Sequence, residues 1–343
     1  MSSISRDLSN GISFSRVIAC FFVVILHASA LNFYKFDSEW WKSNLFDSLS
    51  RVCVPLFIMI TGALLINEQG KTYSSLIKRF KKIIIVCCFW SLFYTIADKF
   101  YPITPIEWVK RVAKNEFKFH LWYLYAMVGF YLSIPILSAI YTSLSKKTIL
   151  YIVVIWGVVS NIDLMYSAGI ISNNFLKIYG LTYFSDLIGY LILGKLLSDA
   201  FEFIVNKRVA WFLMLCYLLS TTMIYLLTYL ISMKGNNPNP FFYAYNSFFV
   251  IIASASIFIP LLYIGRALGN KNKLNIVKKI SELTLGIYCI HLFYMDLSKV
   301  ALSYINMNKP GFLFIMIIST STLLLSFFTV SVMKKIPLLN KVI

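Results

Sequence analysis

Charge is what this sequence has least of. Asp, Glu, Lys and Arg make up 13% of its 343 residues, about half the share of an ordinary soluble domain. Acid is scarcer than base, with 14 Asp and Glu against 32 Lys and Arg. No polar stretch is long enough to fold alone, which excludes a separate soluble domain. Glycine-rich nucleotide loops, tandem repeats, low-complexity tracts and nucleic-acid-binding motifs are also missing. Six cysteines, Cys20, Cys53, Cys87, Cys88, Cys216 and Cys289, all lie in apolar runs without zinc-ligand spacing to histidine. They read as buried free thiols behaving as small hydrophobes, and no metal or redox cofactor is expected.

What is present is apolar length. The chain is 59% hydrophobic and 17% aromatic, with a mean hydropathy of +0.75. The expectation is an all-α, polytopic integral membrane protein. About ten spans are read, near 12–32, 45–66, 83–100, 119–140, 148–166, 178–198, 210–231, 242–265, 281–301 and 312–333. With the N-terminus inside, 18 Lys and Arg fall in inner segments and nine in outer ones. The positive-inside rule then places both termini in the cytoplasm. The net charge of +18 follows from those loops and not from a nucleic-acid partner. Arg6, an apolar stretch and Ala28-Ser29-Ala30 imitate a cleaved signal peptide. Arg16 inside the run, and a length that can span, favour a retained first helix. The segment 102–118 puts Ile106, Val109, Val112 and Ala113 on one helical face beside Lys110, Arg111 and Lys114. It reads as an amphipathic helix on the outer interface, either a plain anchor or a lid.

Ionisable residues at membrane depth are costly, so each raises a functional question. In "SRVIACFFVVILHAS", residues 15–29, Arg16 and His27 stand eleven positions apart. Eleven steps of 100° return to within about 20° of the start, and the rise is roughly 16.5 Å. One helix face therefore carries a permanent cation near the cytoplasm and an imidazole further out. Snorkelling and helix–helix hydrogen bonding would account for either residue alone; the pair on one face points to function. Asp47 and Arg51 are spaced i, i+4, so they can form an ion pair or line a binding site. Pro55 breaks the helical ladder just beyond, and Thr61-Gly62 offers a hydroxyl and a close helix approach. The run Lys78 to Lys82, "KRFKK", is a topogenic cluster or a clamp for a phosphate-bearing ligand. His120 opens "HLWYLYAMVGFYLSIPIL", where Trp122 fits an interfacial aromatic belt, and His291 lies deep in "LGIYCIHLF".

Four elements in order resemble the membrane-bound acyltransferase 3 family, the O-acyltransferases of bacterial surface sugars. They are the arginine and histidine of helix 1 (Arg16, His27), "RVCVPLFIMITG" at 51–62, "FHLWYLYAMVGFYLSIPIL" at 119–137, and "SELTLGIYCIH" at 281–291. Thr61 stands where the family usually has Ser. A pair of arginines three apart is matched only as Arg79 and Lys82, with Lys78 as a substitute; lysine keeps the charge but loses the bidentate fork. The resemblance covers nearly the whole chain as one transmembrane domain, 1–343, and is to the short form without a fused SGNH domain. It is closest to O-antigen and enterobacterial-common-antigen acetyltransferases.

The resemblance implies transfer of an acyl group, acetyl above all, from cytoplasmic acetyl-CoA to a sugar hydroxyl of a lipid-linked or surface glycan, in the bacterial inner membrane. It implies His27 as catalytic base or acyl relay. It implies Arg16, Arg79 and Lys82 or Lys78 at the donor, and Asp47, Arg51, His120, Trp122 and His291 toward the acceptor. Two other classes fit the same composition. A secondary transporter or glycan-lipid flippase would show inverted-repeat halves, which are not visible here. A non-catalytic membrane subunit would have no use for the Arg16 and His27 face.

Overall fold

The computed structural model describes residues 5–66, 72–99, 102–172, 175–181, 185–204, 206–270, 274–305 and 311–343. Lys71, Lys271, Lys273 and Lys309 of the loop-charge count lie outside them. The chain is a polytopic helical membrane protein. Thirteen helices are described in order: α1 (Arg6–Phe33), α2 (Trp40–Ser50), α3 (Cys53–Leu65), α4 (Thr72–Ala97), α5 (Pro105–Ala113), α6 (Trp122–Ser143), α7 (Lys146–Ser167), α8 (Phe175–Ile178), α9 (Gly189–Ile204), α10 (Lys207–Gly235), α11 (Phe248–Asn270), α12 (Asn275–Tyr304) and α13 (Phe312–Met333).

The first helix is the hub. Ser5 caps it by accepting from the Leu8 amide, and it runs unbroken through Ala28-Ser29-Ala30. It packs against α2, α3, α11, α12 and α13. The second expected span is two helices. Pro55 has no amide hydrogen for the Arg51 carbonyl, and its ring crowds that carbonyl, so the ladder opens at Arg51-Val52. The Leu56 amide takes up the pairing again at Val52 O, 2.9 Å away.

Among the described residues nine helical stretches are long and apolar enough to cross a bilayer. The expected span at 178–198 is the exception. Asp186 adopts a left-handed backbone (φ 85°) and accepts from the Leu187 amide, so the helix starts only at Gly189. Its 16 residues reach about 24 Å, short of a full hydrocarbon core. The chain nevertheless changes ends here. The preceding Asp186 carbonyl accepts from Trp156, well along α7, while Asp199 pairs with Lys146 at the start of α7. A short helix crosses because it is sheathed, chiefly by α3. Gly62 and Gly194 make that contact possible, since a Cβ at either would run into the backbone of the facing helix, at Leu191 and Met59 respectively. We expect Gly194→Leu to cost about 1–3 kcal/mol, the usual price of overpacking. Gly129, with open space where its Cβ would be, should accept alanine without loss. Thermal midpoints of the detergent-solubilised variants check this pair.

The start of α1 and Ile343 lie at one end of the bundle, the end that loop charge assigns to the cytoplasm. Lys82 near the start of α4 donates to the Ile343 carbonyl oxygen at 2.8 Å, and Trp90 donates to Val342 O at 3.0 Å. Arg16 reaches Ser281 Oγ, on the first turns of α12, at 3.4 Å. On the other side α5 forms where the amphipathic segment was expected, capped by Thr104 and tied by a Glu107–Arg111 ion pair. The expected apolar face is divided. Trp108 donates to Thr95 and packs on the core beside Val112, whereas Ile106 and Val109 stay exposed.

Candidate active site

A cavity of about 310 Å³ opens at the end of the bundle that loop charge assigns to the cytoplasm. Arg16 from α1 and Arg79 and Lys82 from α4 line its mouth, and Thr61, Tyr123 and Tyr288 line it further in. The Arg16 and Arg79 charges lie close enough to act on one another, and Tyr131 lines the cavity with them. Among the described residues neither guanidinium has a carboxylate within ion-pair distance. Glu282 also lines the cavity, but it pairs with Lys334. Like cations held together around empty volume suit an anion such as a phosphate. Lys78 is exposed and does not line this cavity, so it is no substitute for Lys82 there.

Beyond Tyr288 all three histidines of the chain meet. The rings of His27 and His291 are 5.1 Å apart, and those of His291 and His120 are 5.0 Å apart. They come from α1, from α12 and from the turn before α6, which sequence spacing alone could not bring together. Tyr288 touches both His291 and His120, with ring separations of 5.9 and 5.5 Å, and donates to the His120 carbonyl. His120 and His291 are fully buried, at 1% and 0% exposure, while His27 keeps part of its surface accessible. Among the described residues no three His, Cys, Asp or Glu side chains are grouped to hold a metal.

The outer side of the cluster is aromatic and ionic. Asp47 and Arg51 do form the expected i, i+4 pair along the chain. Asp47 is buried beside Ser29, and Arg51 lies 4.4 Å from the Tyr243 ring centre and 6.0 Å from that of Tyr245. The Arg51 charge also acts on His27. A second, open cavity of about 500 Å³ is lined by Arg51, Tyr243, Tyr245, Tyr34 and Asn239. Arg51 thus stands between that cavity and the histidines, and Trp122 stacks on Tyr245 at 6.2 Å. The aromatic segment 241–245 and Tyr288 were not singled out from sequence. Tyr288 stands in the Ile-Tyr-x-x-His stretch that ends "SELTLGIYCIH", where only the histidine carries an expected role; the segment "FFYAY" reads like any interfacial belt.

The His120 turn is clamped from outside. Lys118 contacts Asp98 and Asp296, each at 3.1 Å, joining the end of α4, the approach to α6 and α12. Partial burial pulls the Lys118 ammonium down, but hydrogen bonds and charge from Asp98 and Asp296 outweigh it and hold its titration above the ordinary lysine value. A raised cation stabilises below its unfolded pKa and loses that effect only as pH climbs through the folded one. Lys118→Met is therefore expected to cost at most about 1 kcal/mol, since the pair is half-exposed. The loss should stay constant between about pH 6 and 9 in thermal melts, because the ammonium is fully charged across that window.

Fold and site together define a multi-pass membrane protein with a cation-lined cavity leading to buried imidazoles. The acyltransferase 3 family model, described as an acyltransferase domain, matches residues 9–331, and the chain belongs to that family. It is accordingly a membrane-embedded acyltransferase. Comparison with curated proteins and with solved structures returned no match.

Proposed function

We propose that the protein is an O-acetyltransferase of the bacterial inner membrane, moving acetyl from cytoplasmic acetyl-CoA to a sugar hydroxyl of a lipid-linked or surface polysaccharide. The observation that carries this reading is the Arg16/Arg79/Lys82 cavity, which ends at Tyr123 and Tyr288, one ring short of the histidine cluster. Arg16, Arg79 and Lys82 hold the donor's phosphates by charge-assisted hydrogen bonds. Thr61, Tyr123 and Tyr288 flank the path of its thioester arm. His27 supplies the nitrogen that a weak alcohol nucleophile requires, as base or as acyl carrier. The acceptor comes from the opposite side, past Arg51, Tyr243 and Tyr245, where aromatic faces and an arginine suit a sugar. Asp47 holds Arg51 in place, and Trp122 braces Tyr245.

Membranes carrying the chain, from a host deleted for it, test the reading when given acetyl-CoA labelled in the acetyl group. The expected result is release of free CoA with label appearing in the glycan fraction. A chain that is present and folded, yet neither consumes acetyl-CoA nor labels glycan, would overturn the acetyl-CoA and glycan assignments and leave an acyltransferase with another donor and acceptor.

A further inference from the structure

The two buried histidines are held differently from His27. His291 places Nδ1 2.6 Å from the Tyr288 carbonyl oxygen, and His120 places Nε2 3.1 Å from the Cys289 carbonyl oxygen. A carbonyl oxygen only accepts, so each of those nitrogens must carry its hydrogen. In the neutral ring the other nitrogen is then a bare acceptor. Both such atoms, His291 Nε2 and His120 Nδ1, are buried without a hydrogen-bond partner among the described residues. They cannot satisfy each other, because neither has a hydrogen to give. A buried acceptor left this way costs stability unless something arrives to donate to it.

His27 has the opposite character. No hydrogen-bond partner for its ring is found among the described residues, and it keeps accessible surface. A general base works best when its far nitrogen is held by an acceptor that fixes tautomer and orientation. His291 meets that condition and His27 does not. His291 also lies in ring contact with His27, and its free nitrogen is on the side of the ring away from its own helix carbonyl.

Resting on the acetyl-CoA reading above, we propose that His291 is a second catalytic residue, the general base for the half-reaction in which an acylated His27 passes its group to the acceptor hydroxyl. In the first half-reaction a His27 ring nitrogen attacks the thioester carbon. The N–C bond forms, the C–S bond breaks, and the electron pair leaves on sulfur. The proton on the other His27 nitrogen ends on that sulfur as the thiol. An acylated His27 can no longer serve as base, so the second half-reaction needs another. The acceptor oxygen attacks the acyl carbon as its proton moves to His291 Nε2. The C–N bond breaks and its electron pair returns to the His27 ring. The proton then passes from His291 to His27, and both rings are neutral again. His120 is a positioning residue here. Its Nε2–H and the Tyr288 hydroxyl tie its own turn to the residues on either side of the carbonyl that holds His291.

The experiment separates the half-reactions. Purified full-length protein in detergent, without glycan, receives acetyl-CoA and radiolabelled free CoA, and label entering acetyl-CoA is followed. Membranes of the expressing strain, which supply their own glycan, report transfer of labelled acetyl. His291→Asn keeps a hydrogen for the Tyr288 carbonyl and removes the free nitrogen; His291→Gln serves if the first variant misfolds. The expected result is exchange within about threefold of wild type and transfer reduced about a hundredfold or more, the range of a lost general base. Loss of both activities in a variant with wild-type thermal stability would overturn the assignment, as would undiminished transfer. Wild type that transfers but does not exchange would overturn the acyl-His27 step and leave the proposed function standing. Wild type that does neither removes the proposed function and this inference together.

Discussion

Replacing His27 by alanine is expected to abolish acyl transfer while leaving a folded, inserted protein. No other imidazole keeps accessible surface. Arg16 and Arg79 still bind, and His120 and His291 remain, but their hydrogen-bearing nitrogens are committed to helix carbonyls. Held that way and fully buried, neither can move out to replace His27 as the accessible nitrogen that takes the acyl group. Loss of a base alone reduces rate about 10²–10⁴-fold, and loss of a nucleophile exceeds that range. The fall should therefore be at least about a hundredfold for a base and above about ten-thousandfold for an acyl carrier. His27 makes ring contacts with Phe119 and His291, so alanine also leaves a small void; His27→Gln fills most of it and should be as inactive. The measurement is the O-acyl signal in NMR of the surface polysaccharide, at matched membrane levels. Normal acylation by either variant would remove the centre of this reading.

The common face of Arg16 and His27 was legible because helical arithmetic needs only spacing, and α1 is a single unbroken helix. The Asp47–Arg51 pair was legible for the same reason: i, i+4 neighbours meet even where the helix is about to break. Two kinds of feature were not. Convergence of His27, His120 and His291 depends on how three separate elements pack, and spacing within a helix carries no such information. The start of α9 depends on a left-handed Asp186 and on sheathing by α3. A hydropathy window cannot weigh either, so residues 178–188 were read into a span that begins at Gly189. Burial misled in the same way at His120. Spacing beside Trp122 says nothing of its depth, and Cys289 O and the Tyr288 hydroxyl draw it into the core.

Arg16→Ala is expected to raise KM for acetyl-CoA far more than it lowers the yield of inserted protein. A topogenic arginine belongs in a loop or at a helix end, where its charge is solvated. Arg16 lies two and a half turns or more inside α1, lines the same cavity as Arg79 and, among the described residues, has no carboxylate within ion-pair distance. That placement stores repulsion between two cations, which an anion in the cavity relieves and which alanine would relieve too. The sign of the stability change therefore distinguishes the roles. If Arg16 serves the donor, Arg16→Ala should keep or raise the thermal midpoint without acetyl-CoA, and should lose most of the upward shift that acetyl-CoA gives wild type. A charge-assisted hydrogen bond is worth about 1.5–3 kcal/mol, so KM should rise roughly 10- to 150-fold. Arg16→Lys should fall between, since lysine retains charge without the fork that grips phosphate. Kinetics at several salt concentrations add a check: the wild-type advantage should shrink as ionic strength screens the cavity mouth. Poor insertion with unchanged turnover per inserted molecule would instead assign Arg16 to topology, and the donor phosphates to Arg79 and Lys82 alone.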